Sequence, residues 1–328
     1  MASIEQAISV LFDPRQPEQI KKSAIDLTEQ AKTDPFFYKF AMQKILELNQ
    51  ENKLALNLYF WYFQALEEQV RKFYSTFPEP IHREIQNFLQ QILLNRMDIL
   101  QIHIGILNKF SVLYVRVIQE DFPGLWPEAF EVLIQNNMKG KDYLKVFLSV
   151  LKVFSEEFTE ELGYLTQEQL RKSNTLKDAM RESVLIKAAE NWKQVLDSEE
   201  LELVTGTLVV MVPYIRWIPL EVTLAFFPYF VKYLTCEQTQ IPALRCIDSL
   251  VNKKMDGSKK LKVIRDLNLI NFITNFNFDN LNMLSDSPKT VAELVNSLGD
   301  HLLDCETNTE LEVVLECGLK CLNNVRFT

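Results

Sequence analysis

Leu107 to Leu133 reads LNKFSVLYVRVIQEDFPGLWPEAFEVL. Its first two-thirds is a helical pattern with apolar residues all round, and a helix lacking a polar face is buried on two flanks. The break Phe122-Pro123-Gly124-Leu125-Trp126-Pro127 ends that helix and opens a second, with Pro127 in the first turn, where its missing N–H has no helical partner to lose. Trp126 sits in the corner. A hairpin of helices buried on both sides is a stacking unit, and stacking units build solenoids, which present long surfaces to large partners and seldom do chemistry.

Composition agrees with this reading. Across 328 residues there are 8 Gly and 12 Pro, too few glycines for the turns of a β protein or the phosphate loops of a nucleotide-binding α/β fold. Aliphatic and aromatic residues make up 47%, enough for an extended core, and 22 Phe are expected to fill gaps between stacked helices. The N-terminus MASIEQAISVLF lacks a basic segment followed by an apolar one, so no secretory signal is expected. The most apolar region, Leu201–Leu234, is interrupted by Pro213, Arg216 and Glu221 and lacks the ~18 uninterrupted apolar residues of a membrane span. A soluble protein that engages no membrane is expected. The five cysteines, Cys236, Cys246, Cys305, Cys317 and Cys321, are odd in number and unpaired in spacing, which points to a reducing compartment. Cys317 and Cys321 are one helical turn apart but have no second ligand pair, so buried thiols are expected in place of a metal site.

Charge is unevenly spread. Residues 166–265 hold 15 Lys and Arg against 12 Asp and Glu, whereas the rest of the chain holds 20 against 32. An acidic flank beside a basic middle suggests two partners of opposite sign, or one partner and self-avoidance.

Helical pairs recur at intervals of roughly 40–55 residues, the range of HEAT-type repeats. The expected fold is all-α, a right-handed α-solenoid of about seven such hairpins. The first pair is read as Pro17–Leu48, with Asp34 capping its second helix. The second runs from Leu54 to Leu94, broken at Phe77-Pro78, and the third starts near Asp98 and includes the opening stretch. The fourth joins Tyr143–Phe158 to Leu176–Leu196 and the fifth Leu201–Ile215 to Leu220–Leu234. The sixth joins Pro242–Asn252 to Lys259–Phe272 and the seventh Val291–Leu303 to Glu310–Asn323. No polar capping repeat is evident, so a longer solenoid is expected, with residues 1–140 as a first arch and 141–328 as further repeats.

These residues resemble a known family. The pattern Leu107-Asn108-Lys109, Tyr114-Val115, Asp121-Phe122-Pro123 and Leu125-Trp126-Pro127 looks like the third repeat of the nuclear exportins of the importin-β superfamily. Phe60–Tyr74, FWYFQALEEQVRKFY, resembles the repeat before it. Three later segments narrow the likeness to the exportin-T family of tRNA exporters: Ser173–Trp192, Tyr214–Ile218 (YIRWI) and Val251–Asp256 (VNKKMD).

The resemblance implies a carrier that shuttles between nucleus and cytoplasm. It would bind Ran·GTP and tRNA together, each raising affinity for the other by stabilising one closed form, and release tRNA after GTP hydrolysis on Ran. GTP and magnesium would enter only through Ran, with no cofactor of the chain's own, and phenylalanine-glycine nucleoporins would be further partners. In the superfamily the second helices of the first repeats grip Ran. They are read here as Pro35–Leu48, Ile81–Leu94 and Pro127–Asn136, which makes Phe36, Tyr38, Lys39, Gln43, Glu84, Asn87 and Gln91 the candidate Ran contacts. Two basic clusters are the candidate tRNA contacts: Arg171, Lys172, Lys177 and Arg181, with Lys187 and Lys193 nearby, and Lys253, Lys254, Lys259, Lys260, Lys262 and Arg265. Lysine and arginine on such a surface give salt-sensitive affinity for a polyanion, and shape-based RNA recognition needs little more than backbone contacts.

Each reading has a plainer counterpart. Charged helix ends are commonly only solvated, and Trp61 and Trp126, set inside apolar hairpins, are expected in the core in place of stacking on bases. Asn108 and Lys109 are expected to cap or bridge neighbouring helices. Glu67-Glu68 and Glu156-Glu157 are adjacent on helices, so their carboxylates diverge by about 100° and form no acid–base couple. His82, His103 and His301 stand apart from any nucleophile motif, and there is no glycine-rich phosphate loop. An enzyme is not expected. An exportin of other cargo, protein or RNA, and a HEAT scaffold that binds no Ran are the competing readings.

Overall fold

The computed structural model describes residues 3–48, 54–137, 139–158, 166–274, 287–304 and 314–315. The described residues are helices and turns, with no strand among them, so the all-α solenoid class is borne out. The chain divides into two compact units, Met1–Val184 and Leu185–Thr328.

The first unit holds α1 (Ile4–Phe12), α2 (Glu18–Ala31), α3 (Phe37–Glu47), α4 (Ala55–Phe73), α5 (Glu79–Asn95), α6 (Met97–Gln101), α7 (Ile104–Asp121), α8 (Ala129–Asn137), α9 (Lys141–Phe158) and α10 (Gln167–Ser183). Here α1 packs on α2, α3 on α4 and α8 on α9, while α4, α7 and α9 stack in one row. This register differs from the one read in the sequence, which paired the second helix with the third. The reason is α1. Ser3 and Gln6 form a reciprocal capping box at its start, Ser3 Oγ accepting from Gln6 N at 3.2 Å and Gln6 Oε1 from Ser3 N at 2.9 Å. The extra helix shifts every early hairpin by one, so α3, α5 and α8 open hairpins where they were expected to close them.

The opening corner is as apolar as its sequence. Trp126 is fully buried 5.0 Å from the ring of Tyr114, and the rings of Phe122, Phe130 and Phe154 follow at 5.2 and 5.6 Å. The Asp121 carbonyl accepts from both Leu125 N (2.7 Å) and Trp126 N (3.0 Å), closing the turn. Trp61 is likewise buried, against Phe37 and Tyr62. The helix read from Asp98 onward is interrupted. His103 caps α7 by accepting from Gly105 N at 2.9 Å, which leaves α6 as a separate short helix.

The second unit holds α11 (Leu185–Ser198), α12 (Leu201–Ile215), α13 (Leu220–Lys232), α14 (Glu237–Val251), α15 (Gly257–Asp266), α16 (Leu269–Thr274) and α17 (Ser287–Asp304). Its row is α12, α14 and α17, with α11 against α12 and α13 against α14. Three expected helices change. Leu176–Leu196 is two helices, α10 and α11. Lys259–Phe272 is broken at Asn268, whose φ of 52° suits the left-handed end of a helix. Pro242 lies inside α14 and does not start it. The helix expected at Glu310–Asn323, apart from Val314 and Leu315, lies outside the described residues, as do Cys305, Cys317 and Cys321. No described helix is long and apolar enough to cross a membrane.

Candidate partner-binding surfaces

The early candidates fall on α3 and α5. Asp34 Oδ1 accepts from Phe36 N at 2.9 Å just before α3, and Phe36 stands 62% exposed. Tyr38 is a correction: it is fully buried beside Phe77, and its hydroxyl donates to Glu84 Oε2 at 3.3 Å. Burial, and then the Glu84 charge, push that phenol up to about 12. The ammonium of Lys39 lies 3.8 Å from the same Glu84 oxygen, so Tyr38, Lys39 and Glu84 are brought together. Gln43 donates to Glu47 at 2.6 Å, and Asn87 and Gln91 are exposed on α5. With the register corrected, the second helices of the early hairpins are α2, α4, α7 and α9. Of these, α2 buries only Ala24 and Thr28 and leaves Ile20 and Ile25 each 48% exposed.

The α4–α7–α9 row carries a polar edge that the sequence reading missed. Arg116 of α7 reaches both neighbours: Nη1 and Nη2 donate to Glu157 of α9 at 3.0 and 3.1 Å, and Nε lies 3.9 Å from Glu67 of α4. Lys109 places its ammonium 5.3 Å from the centre of the Phe60 ring on α4, a cation–π bridge between helices. At the far end of α7, the buried Asp121 carboxylate accepts from Tyr74 Oη (2.5 Å), Gln86 Nε2 (2.6 Å) and His82 Nδ1 (2.7 Å). His82 Nε2 faces the Phe77 carbonyl at 3.2 Å. Burial, then the Asp121 carboxylate, drive the Tyr74 phenol far up, so it stays a donor. This node joins α5, α7 and the turn after α4. The isolated appearance of His82 in the sequence hid it, because its partners lie 39 residues downstream and 5 upstream.

The first basic cluster is partly committed. Lys172 pairs with Glu120 at 2.7 Å and Arg181 with Asp178, while Arg171 is exposed and Lys177 half-buried on α10. Lys187 and Lys193 are exposed on α11, in the other unit.

The second cluster divides sharply. Lys254, Lys259, Lys262 and Arg265 are exposed. Lys253 and Lys260 are corrections, because both are buried with their ammonium groups on main-chain carbonyls. Lys253 Nζ donates to the Ile215 and Ile218 oxygens at 2.8 and 2.5 Å. Lys260 Nζ donates to the Lys253 oxygen at 2.6 Å and to the Val251 oxygen. Each therefore neutralises the negative end of a helix, α12 and α14 respectively, where the last carbonyls lack helical partners.

The three later segments used for the resemblance meet here. Trp192 lies 5.8 Å from Tyr214, Tyr214 lies 5.0 Å from Trp217, and Lys253 holds the carbonyls of Ile215 and Ile218. Among the described residues no group of three or more His, Cys, Asp and Glu is arranged to hold a metal ion.

A family model described as exportin 1-like protein matches residues 103–247. The exportin-T of Dictyostelium discoideum is 25% identical over 282 residues, covering 83% of this chain and 25% of that protein. The human exportin-T is 26% identical over 275 residues, 80% of this chain and 28% of its own length. The Arabidopsis thaliana exportin-T is 21% identical over 342 residues, 99% and 34%. The chain spans about a quarter to a third of the length of the curated relatives it matches. The resemblance to exportin-T read from the sequence is borne out.

Proposed function

We propose that this chain, similar along most of its length to the N-terminal part of exportin-T, is the first portion of a nuclear export receptor that carries tRNA. It binds Ran·GTP and tRNA cooperatively in the nucleus and gives up tRNA in the cytoplasm once Ran hydrolyses its GTP. It acts as a carrier and catalyses nothing itself. The observation that carries the reading is that relatives named exportin-T align along 80–99% of the chain, across all three later segments.

Under the corrected register, Ran contacts move from α3 and α5 to the second helices α2, α4 and α7. The open face of α2 and the polar edge around Arg116 supply them. The exposed residues Lys254, Lys259, Lys262 and Arg265 are the better RNA candidates, with Arg171 and Lys177 as a second group. Nucleoporins with phenylalanine-glycine repeats complete the partners of a shuttling carrier.

The test is binding of labelled tRNA with and without Ran locked in the GTP state, over a salt series, for this chain and for the full-length protein side by side. Ran-dependent binding that weakens steeply with salt supports the reading. Ran·GTP binding without any gain in tRNA affinity by the full-length protein indicates an exportin of other cargo, and no Ran binding by either form leaves a helical scaffold.

A further inference from the structure

We infer that Lys253 and Lys260 are positioning residues, which hang the basic face of α15 from the ends of α12 and α14 and do not themselves meet the polyanion. The inference rests on the reading of α15 as an RNA-contacting helix. Its inner stripe is Lys260, Val263 and Ile264, spaced at i, i+3 and i+4 and all buried. Lys259, Lys262 and Arg265 lie on the outer side. Lys260 thus occupies a core position in a helix whose outward face is cationic.

A lysine at a core position must find partners for its ammonium, since an unpaired buried charge is strongly unfavourable. Here the partners are the terminal carbonyls of the preceding helix. The Lys253 oxygen accepts from Lys260 at 2.6 Å, while the Lys253 ammonium grips the Ile215 and Ile218 oxygens. The linkage is continuous, from the aromatic corner of Tyr214 and Trp217, through Lys253 and then Lys260, to α15. Gly257 and Ser258, which begin α15, are exposed, and its buried side chains start at Lys260. The inward side of the helix is held by Val263, Ile264 and this ammonium. Two lysines of a run that looks like a polyanion site are therefore spent on orienting the others.

The experiment compares K260M, K260R, the pair K259M/K262M and the combined triple variant. The readouts are hydrogen exchange of the α15 amides and tRNA affinity over a salt series, measured in the presence of Ran·GTP. K260M is expected to speed exchange within residues 257–266 by about tenfold while leaving α4 and α7 unchanged, and to weaken tRNA binding several-fold. K260R, which keeps a cation but replaces the compact ammonium with a larger planar fork, is expected to fall between the parent and K260M in both readouts. K259M/K262M is expected to lower the salt slope by about two while leaving exchange unchanged, and the triple variant to lose less than the sum of the two separate losses, since of the outer face only Arg265 remains to be oriented.

Unchanged α15 exchange in K260M, or a triple variant whose losses simply add, overturns the positioning role. If K259M/K262M binds tRNA with the parent's affinity and salt slope, the RNA reading of α15 fails and takes the proposal with it. If that pair weakens binding but K260M alters neither readout, the RNA reading stands and the positioning role alone falls.

Discussion

Replacing Asp121 by alanine removes one carboxylate from three buried donors at once. Tyr74 Oη, His82 Nδ1 and Gln86 Nε2 lie 2.5, 2.7 and 2.6 Å from its oxygens. Each donor left without an acceptor in the interior costs about 1–3 kcal/mol. Relaxation and water entry recover part of this, so D121A is expected to cost about 4 kcal/mol. Asparagine behaves differently. Its oxygen still accepts from Tyr74 and Gln86, and its amide can turn toward His82 Nδ1. The ring accommodates that by carrying its proton on Nε2, which faces the Phe77 carbonyl at 3.2 Å. The three neighbours then each keep a partner while one N–H of the new amide is left without an acceptor, and D121N is expected to cost about 1 kcal/mol. The gap of about 3 kcal/mol is a factor of about a hundred in the opening equilibrium. Hydrogen exchange of the slowest α5 and α7 amides, in the regime where rates report the opening equilibrium, measures it locally and does not require the two units to unfold together. If D121A and D121N fall within about 0.5 kcal/mol of one another, the node is not held by the satisfaction of its donors.

Three further outcomes are expected. R116M, which leaves Glu67 and Glu157 without their shared cation, should cost about 1–2 kcal/mol in urea unfolding, whereas K152A, from the exposed Lys152–Glu156 pair, should stay within about 0.5 kcal/mol of the parent. Burial pushes the Cys246 thiol up and away from the reactive thiolate, so alkylation at pH 8 followed by mass spectrometry should label the half-buried Cys236 before Cys246, which reacts only after denaturation. Partial burial opposes ionisation of Glu68, but its hydrogen bonds from Lys32 and Gln64 prevail and hold the carboxyl below its usual range. Its stabilising share is therefore present above the unfolded value near 4.5 and fades as pH falls through the lower folded value; E68Q should flatten that part of an acid-unfolding curve, and an unchanged curve would count against the assignment.

Much of the local structure was legible in the residues alone. The apolar run through α7, the Pro-Gly-Leu-Trp-Pro corner and the burial of Trp61 and Trp126 follow from side-chain periodicity and from proline's inability to continue a helix. The resemblance to the exportins carried by Phe60–Tyr74, and to exportin-T by the three later segments, was legible too. The residues also carried a signal that went unread: Ser3 and Gln6 mark the start of α1, and that one helix resets which helices pair.

Tertiary structure settled two things. The first is the hairpin register, which the Ser3–Gln6 capping box hints at but does not fix, since amphipathic helices of similar length can each pack on the one before or the one after, and the choice depends on contacts dozens of residues apart. The second is the fate of the charged side chains. A lysine carries four flexible carbons between backbone and charge, so adjacent cations in a run such as Lys253-Lys254 or Lys259-Lys260 can point in opposite directions. Lys253 and Lys260 turn inward to helix-end carbonyls that the sequence places 35 to 38 and 7 to 9 residues away. Lys254 and Lys259 remain at the surface. Composition counts both kinds as one basic patch; only the position of the helix ends separates them.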